Sequence, residues 1–310
     1  MADDYYSLAK MITINDMNLA PGVPDDLLQD APLIRALAAT TASNGTQHKY
    51  VKYTGAPVVG FRAVNAGRDH DSSIDTLVTI ACEILDAGFT ADVELARSYK
   101  NGVEGFLERE GMRHLRTAFF TLEDQVINGT NADAGGFEGL ADTLDTLGTR
   151  VLGQGGTATR TSVYVIRDSD PDTDVALVAG NSGNINMDPY TLQRIEDGTG
   201  KHFFAYTVNI SAYFALQMGS IHTAVRLANV DSTGGTGTSL DDDSIFAAIK
   251  LFPSSRQPTK IVMNRDSLEL LRASRTATNV TGAPAPRPTE VEGVPIIVTD
   301  AIGSAESAVS

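Results

Sequence analysis

The chain has 310 residues, enough for one large domain or two smaller ones, and its 42% hydrophobic and 20% charged residues are an ordinary globular balance. The 24 basic and 39 acidic residues leave a net charge of −15, a surface that repels polyphosphate and excludes tight non-specific binding to nucleic acid. Cys82 is the only cysteine, which excludes an intrachain disulfide and a cysteine-based metal site. The opening MADDYYSLAK lacks the basic-then-apolar pattern of a signal peptide, and no run of 18 apolar residues offers a membrane span.

Residues 1–46 are heterogeneous. Met11 to Asn18 reads as extended, and Pro21, Gly22 and Pro24 break the chain. Leu27 to Ala39 reads as a short helix with Leu33, Ile34 and Leu37 on one face. Thr40 to Thr46 is polar and turn-forming, so the whole segment reads as an arm that packs on something else. Residues 47–64 hold two candidate strands, HKYVKYT and VVGFRAV, with Gly55-Ala-Pro57 as the turn between them. A two-stranded hairpin is marginal alone in water and needs a partner. Asn65 to Ser73 is a polar loop, and Leu77 to Phe89, apolar and rich in β-branched residues, predicts a buried strand or two with a bend.

The most periodic segment opens at Asp92. Val93, Ala96, Tyr99, Val103, Phe106, Leu107, Leu115, Phe119, Leu122 and Val126 recur at three- and four-residue steps, which predicts one face of a long helix over 93–127. A kink or break is expected near Asn101-Gly102, and Asn128-Gly129 ends the run. Short strands are predicted at Ser162–Arg167, Asp174–Val178, Phe203–Ile210 and Ile221–Val230, the last with Ile221, Thr223, Val225 and Leu227 on one face. Residues 231–238 read as a flexible loop, and the acids after Leu240 open an amphipathic helix through Phe252. A strand at Lys260–Asn264, a helix from Asp266 to Ser274 capped by Asp266, a loop over 276–290 and a strand or hairpin at Val291–Thr299 follow. The tail GSAESAVS reads as disordered. The pattern is α+β.

This order of elements resembles the Hong Kong 97-type fold of tailed-bacteriophage major capsid proteins. The wording also resembles one branch of that family, in APVVGFRAVNAGRDHDSSIDTLVTIACEILDAGFTADVELAR (56–97), DQVINGTNADAGGFEGLADTL (124–144), TSVYVIRD (161–168) and MGSIHTAVRLANV (218–230). The resemblance implies an N-terminal arm (1–46), an extended β-hairpin loop (47–78), a peripheral domain with a long spine helix (79–134), and an axial domain whose strands return to the peripheral one (135–310). It implies a coat subunit that assembles with itself into hexamers and pentamers of an icosahedral head around double-stranded DNA. Such a subunit is made in the host bacterial cytoplasm and ends in the virion capsid. Portal and scaffold or decoration proteins are implied as partners, the packaged DNA is met only by non-specific proximity, and neither a membrane nor a cofactor is expected. Hinge-like glycines at Gly102, Gly105 and Gly129 suit a subunit that must fit two environments. Intersubunit contact is expected at Lys49, Lys52 and Arg62 of the hairpin loop and at Leu33 and Leu37 of the arm.

The alternative is a small soluble hydrolase or metal-dependent enzyme. Asp69-His70-Asp71 with Asp75 is its best metal cluster, but it lacks the loop pattern of a calcium hand. His48, His70, His114, His202 and His222 show no paired ligand spacing, and no GxSxG turn exists. The glycine-rich stretches at 153–156 and 234–237 lack the lysine of a phosphate loop. Glu83 and Asp86 read as the outward side of an edge strand. Neither a catalytic nor a metal site is expected.

Overall fold

The computed structural model describes residues 30–69, 71–157, 159–234, 239–279 and 283–310. The extended stretch at Met11–Asn18, the breakers at Pro21 and Pro24, His70 and residues 235–238 of the 231–238 loop lie outside the described residues.

The helix expected over 27–39 is present as α1, Pro32–Ala36, with proline in the first turn where no N–H is needed. Leu37 leaves it in an extended conformation, and β1 (Ala39–Thr41) runs parallel to a body strand. β2 (Gln47–Gly55) pairs antiparallel with β3 (Ile74–Ala81), with Tyr50 opposite Val78 and Val51 opposite Leu77. The expected partner VVGFRAV forms no strand. Pro57 has no N–H for a ladder and Gly60 interrupts the run, whereas Ile74–Ala81 offers an unbroken β-branched register. The stretch expected as a buried strand, or two with a bend, over 77–89 is thus three: β3, β4 (Glu83–Asp86) and β5 (Phe89–Asp92). It is largely exposed, with Leu77 at 63% and Ile84 at 60%.

Asp92 caps α2 (Val93–Arg97), its carboxylate accepting from Glu94 N at 2.8 Å. The expected break falls at residues 98–101, and α3 (Gly102–Asn128) continues for 27 residues, about 40 Å at 1.5 Å per residue. Gly129 ends it at φ 57°. A Cβ there would stand 1.9 Å from Asp142 Oδ2, so this glycine is a clamped junction rather than a loose hinge. Asp142 lies in α4 (Leu140–Thr143) and accepts from Thr130 N at 2.8 Å and Gly139 N at 3.1 Å. Burial raises its pKa, but these donors and the Thr130 hydroxyl outweigh that and hold it below the usual carboxylate range.

The remaining elements are β6 (Val151–Gly153), β7 (Arg160–Ile166), β8 (Val175–Ala179), β9 (Asn186–Met187), β10 (Thr191–Glu196), β11 (His202–Val208), β12 (Ile210–Met218), β13 (Ala224–Asp231), α5 (Asp242–Ile249), β14 (Lys260–Met263), α6 (Arg265–Ala277), β15 (Glu290–Val291) and β16 (Val294–Val298). Six of these strands make a sheet in the order β15-β16-β14-β7-β13-β6. Both its faces are buried. Val163, Val165, Leu227 and Ile261 meet Ile245, Ile249 and Leu271 of α5 and α6 on one side. Tyr164, Ile166 and Val262 meet Leu122, Val126 and Ile127 of α3 on the other. The one-faced alternation expected over 221–227 is therefore a strand buried on both sides, and Ile221 lies outside it, 70% exposed. A second sheet runs β1-β8-β12-β4 with β9 on β12, and a third, β10-β11-β5, packs on α2 and the start of α3.

Asn264, not Asp266, caps α6, because Asn264 has the extended backbone of a cap (φ −85°, ψ 177°) and accepts from Ser267 N at 2.9 Å. The tail expected to be disordered is docked: Glu306 pairs with Arg226 at 2.9 Å, and Val309 packs against the α3 core.

Candidate assembly surfaces

The hairpin has an inner and an outer side. Strand alternation puts His48, Tyr50 and Lys52 on one and Lys49, Val51 and Tyr53 on the other. The inner side meets the body: His48 Nε2 lies 2.6 Å from Gln217 Oε1, and Tyr50 OH donates to Met218 O at 3.1 Å. Burial pushes the Tyr50 phenol up and the Lys52 ammonium down. Lys52 stands 5.6 Å from the Tyr50 ring centre and shares a groove of about 430 Å³ with Glu83 and Glu138. The outer side carries Val51 and Tyr53 at 63% and 62% exposure, with Leu77 across from Val51. Beyond Gly55 the loop displays Val58, Val59, Phe61 and Val64, and Phe61 has no cover at all. Of the nineteen exposed large hydrophobic residues described, eight fall between residues 51 and 77. Exposed apolar residues gathered into one segment in this way are of the kind found at interaction sites.

The expected contact residues separate. Lys49 is exposed on the outer side, and Arg62 is exposed in the loop, where it donates to Ala66 O at 3.3 Å. Lys52 turns inward, so the three cations form no single patch. Leu33 and Leu37 are corrected outright. Leu33 is fully buried and Leu37 is 8% exposed, both in the chain's own core with Leu122, Val126 and Ile127. The apolar stripe read as waiting for a neighbour is satisfied within the chain.

Three polar anchors went unread. Glu123, fully buried on α3, accepts from Leu33 N at 2.7 Å, Ile34 N at 3.0 Å and the Thr299 hydroxyl. Burial, with a smaller push from Asp300, raises its pKa despite those donors. Asp168 accepts from Ala38 N at 3.0 Å and pairs with Lys260. Arg226 gives Nε to Ser162 Oγ, Nη1 to Leu144 O and Nη2 to Glu306, each at 2.9 Å. A carboxylate inside the apolar stripe of α3, four residues after Phe119 and three before Val126, was the available signal for the first. His114 stacks on Phe89 at 4.8 Å, a packed histidine as its helix position implied. Among the described residues no group of three or more His, Cys, Asp or Glu could hold a metal ion, and His70 lies outside them. Among the same residues no helix is long and apolar enough to cross a membrane.

A long helix under a two-sided sheet, a second sheet beside it and a projecting hairpin make this the α+β Hong Kong 97-type capsid fold. The fold is shared with a chain of the bacteriophage Epsilon15 structure at TM-score 0.73 and 20% identity, covering 100% of this chain and 98% of that one. It is shared with the capsid of bacteriophage JBD30 at TM-score 0.52 and 12% identity over 89% and 93% of the two chains. The chain belongs to the family of the major capsid protein GP7, whose model it matches over residues 20–310. It is thus a coat subunit of the virion shell, and the hydrolase reading has no support. No curated protein matches the chain.

Proposed function

We propose that the chain assembles with copies of itself into hexamers and pentamers of an icosahedral phage head around double-stranded DNA. The observation that carries this is the hairpin loop, whose apolar side and tip find no cover among the described residues. Burying a side chain such as Val59 or Phe61 is worth roughly 1.5–3 kcal/mol each, and a neighbouring copy would supply that burial. The acidic surface suits a wall beside DNA, met by non-specific proximity alone. The charges of Lys49 and Arg62 are placed to steer the loop to an acidic neighbour. Portal and scaffold or decoration proteins complete the set of partners. The arm (1–46), loop (47–78), peripheral (79–134) and axial (135–310) division is proposed with one change: residues 32–41 belong to the body.

Substituting Val59, Phe61 and Val64 together by serine tests the reading. The wild-type chain is expected to sediment as large particles that appear as shells in negative-stain electron microscopy. The triple variant is expected to stay small with an unchanged circular dichroism spectrum. Wild-type assembly by the variant refutes the role of the loop.

A further inference from the structure

Helix α5 lies on the outer face of the six-stranded sheet. Ile245, Ala248 and Ile249 are buried there, which leaves Asp243, Phe246 and Lys250 as one exposed stripe at steps of three and four, with Phe246 51% exposed. The two ends of this stripe, about 10 Å apart, differ in sign.

At the N-terminal end stand Asp241, Asp242 and Asp243. Asp241 is occupied in capping, accepting from Ser244 N at 2.8 Å, and Asp242 holds Arg275 at 2.6 Å. Asp243 faces outward. At the C-terminal end, Lys250 is the cap residue, and Arg150 Nη1 donates to Leu251 O at 2.9 Å. The other arm of Arg150 meets His222 Nδ1, and Arg256 is close enough to act on the same imidazole. Among the described residues no carboxylate pairs with Arg150, Lys250 or Arg256. Three cations, Arg150, Lys250 and Arg256, thus stand at this end with no carboxylate partner among the described residues, on a chain whose net charge is −15.

We propose that the α5 stripe is a contact between two copies of this chain, the Asp243 end of one meeting the Arg150–Lys250–Arg256 end of the next. Charge complementarity selects the occupant. The stripe carries both signs on one element and therefore fits itself, head to tail, in a cyclic assembly. A phosphate backbone would satisfy the basic end, but it would be repelled by Asp243 and by the chain as a whole. This contact rests on the coat-subunit reading, since it requires that copies assemble.

A charge swap tests it. Light scattering would follow assembly of the full chain at low and physiological salt for Asp243→Lys, for Lys250→Asp with Arg256→Asp, and for all three together. Each partial reversal is expected to slow assembly about tenfold at low salt, and added salt is expected to narrow the difference. The triple variant restores opposite charges with the polarity inverted and is expected to return to within about threefold of wild type. Circular dichroism checks each fold. Should a reversal unfold the chain, the neutral Asp243→Asn and Lys250→Gln/Arg256→Gln variants are expected to slow assembly and remove most of its salt dependence. A triple variant as slow as its slower parent overturns the contact. So does loss of assembly on the basic side with no effect from Asp243, the pattern of a phosphate site. No shells from the wild-type chain would sink the coat-subunit reading and this contact with it.

Discussion

Replacing Glu123 probes how the start of the body is held. Its carboxylate is fully buried and accepts two amide N–H groups of α1 and the Thr299 hydroxyl. Glu123→Ala leaves three buried donors without an acceptor, each costing about 1–3 kcal/mol, and opens a cavity besides. Because α1 and Thr299 can relax in part, the expected loss is about 4 kcal/mol, a large share of a domain's stability. Glu123→Gln keeps one oxygen for the two amides and is expected to cost far less. The two side chains also part company with pH. Burial raises the Glu123 pKa in the folded chain above its unfolded value of about 4.3. The stability tied to its protonated form is therefore complete below that value and lost as pH rises through the folded pKa. Glutamine does not titrate, so the Gln variant should gain on wild type as pH rises above about 4.3 and through the raised pKa of Glu123. Urea unfolding of the unassembled chain at several pH values measures both effects. A Gln variant as unstable as Ala, or one that loses ground to wild type as pH rises, refutes the account.

Two further outcomes follow from packing. Gly129→Ala must place a Cβ 1.9 Å from Asp142 Oδ2 and 2.4 Å from Gly139 N at φ 57°, so a loss of about 3 kcal/mol or more is expected in the same unfolding assay. Deleting residues 303–310 removes Glu306 and strands the Arg226 guanidinium, whose side chain is 7% exposed. Breaking such a buried pair costs about 3–5 kcal/mol, whereas a disordered tail would cost nothing, and thermal unfolding separates the two.

Long-period signals were legible and contact-dependent ones were not. The α3 stripe, its break at 98–101 and its end at Gly129 follow from apolar spacing and glycine placement alone. The β13 and β14 strands were visible, but not that both of their faces are buried, because a short apolar run carries no mark of what lies on each side. β10 and β12 were missed: Thr191–Glu196 is mostly exposed, and Ile210–Met218 was hidden by its continuity with the strand before it. The hairpin was recognised with the wrong second strand. Local alternation favoured the nearer segment, and only the ladder register distinguishes VVGFRAV from Ile74–Ala81. The same limit misplaced Leu33 and Leu37, whose amphipathic pattern shows that they need cover but not which surface gives it. The tail was misjudged on composition, since small polar residues without a stripe gave no sign that Glu306 answers a buried arginine.

The buried polar groups explain why the rest of the subunit can leave its hairpin uncovered. Glu123 joins α3 to residues 33–34 and 299, Asp168 joins Ala38 to Lys260, and Arg226 joins residues 144 and 162 to 306. Each anchor ties segments far apart in sequence around the same two-sided sheet. A buried ion pair adds little net stability compared with an apolar replacement, but misplacing one partner is expensive, so its main effect is to hold one arrangement. Among the described residues, the body's polar tethers to the hairpin are confined to its base, at His48 and Tyr50. Displacing the strands beyond them breaks no body contact of that kind, while displacing the arm segment or the tail strands a buried charge or its donors. On the coat-subunit reading, adjustment between neighbouring copies is expected to fall on the hairpin and its loop, where the exposed apolar surface is, with the sheet and α3 carried from one environment to the next as a unit.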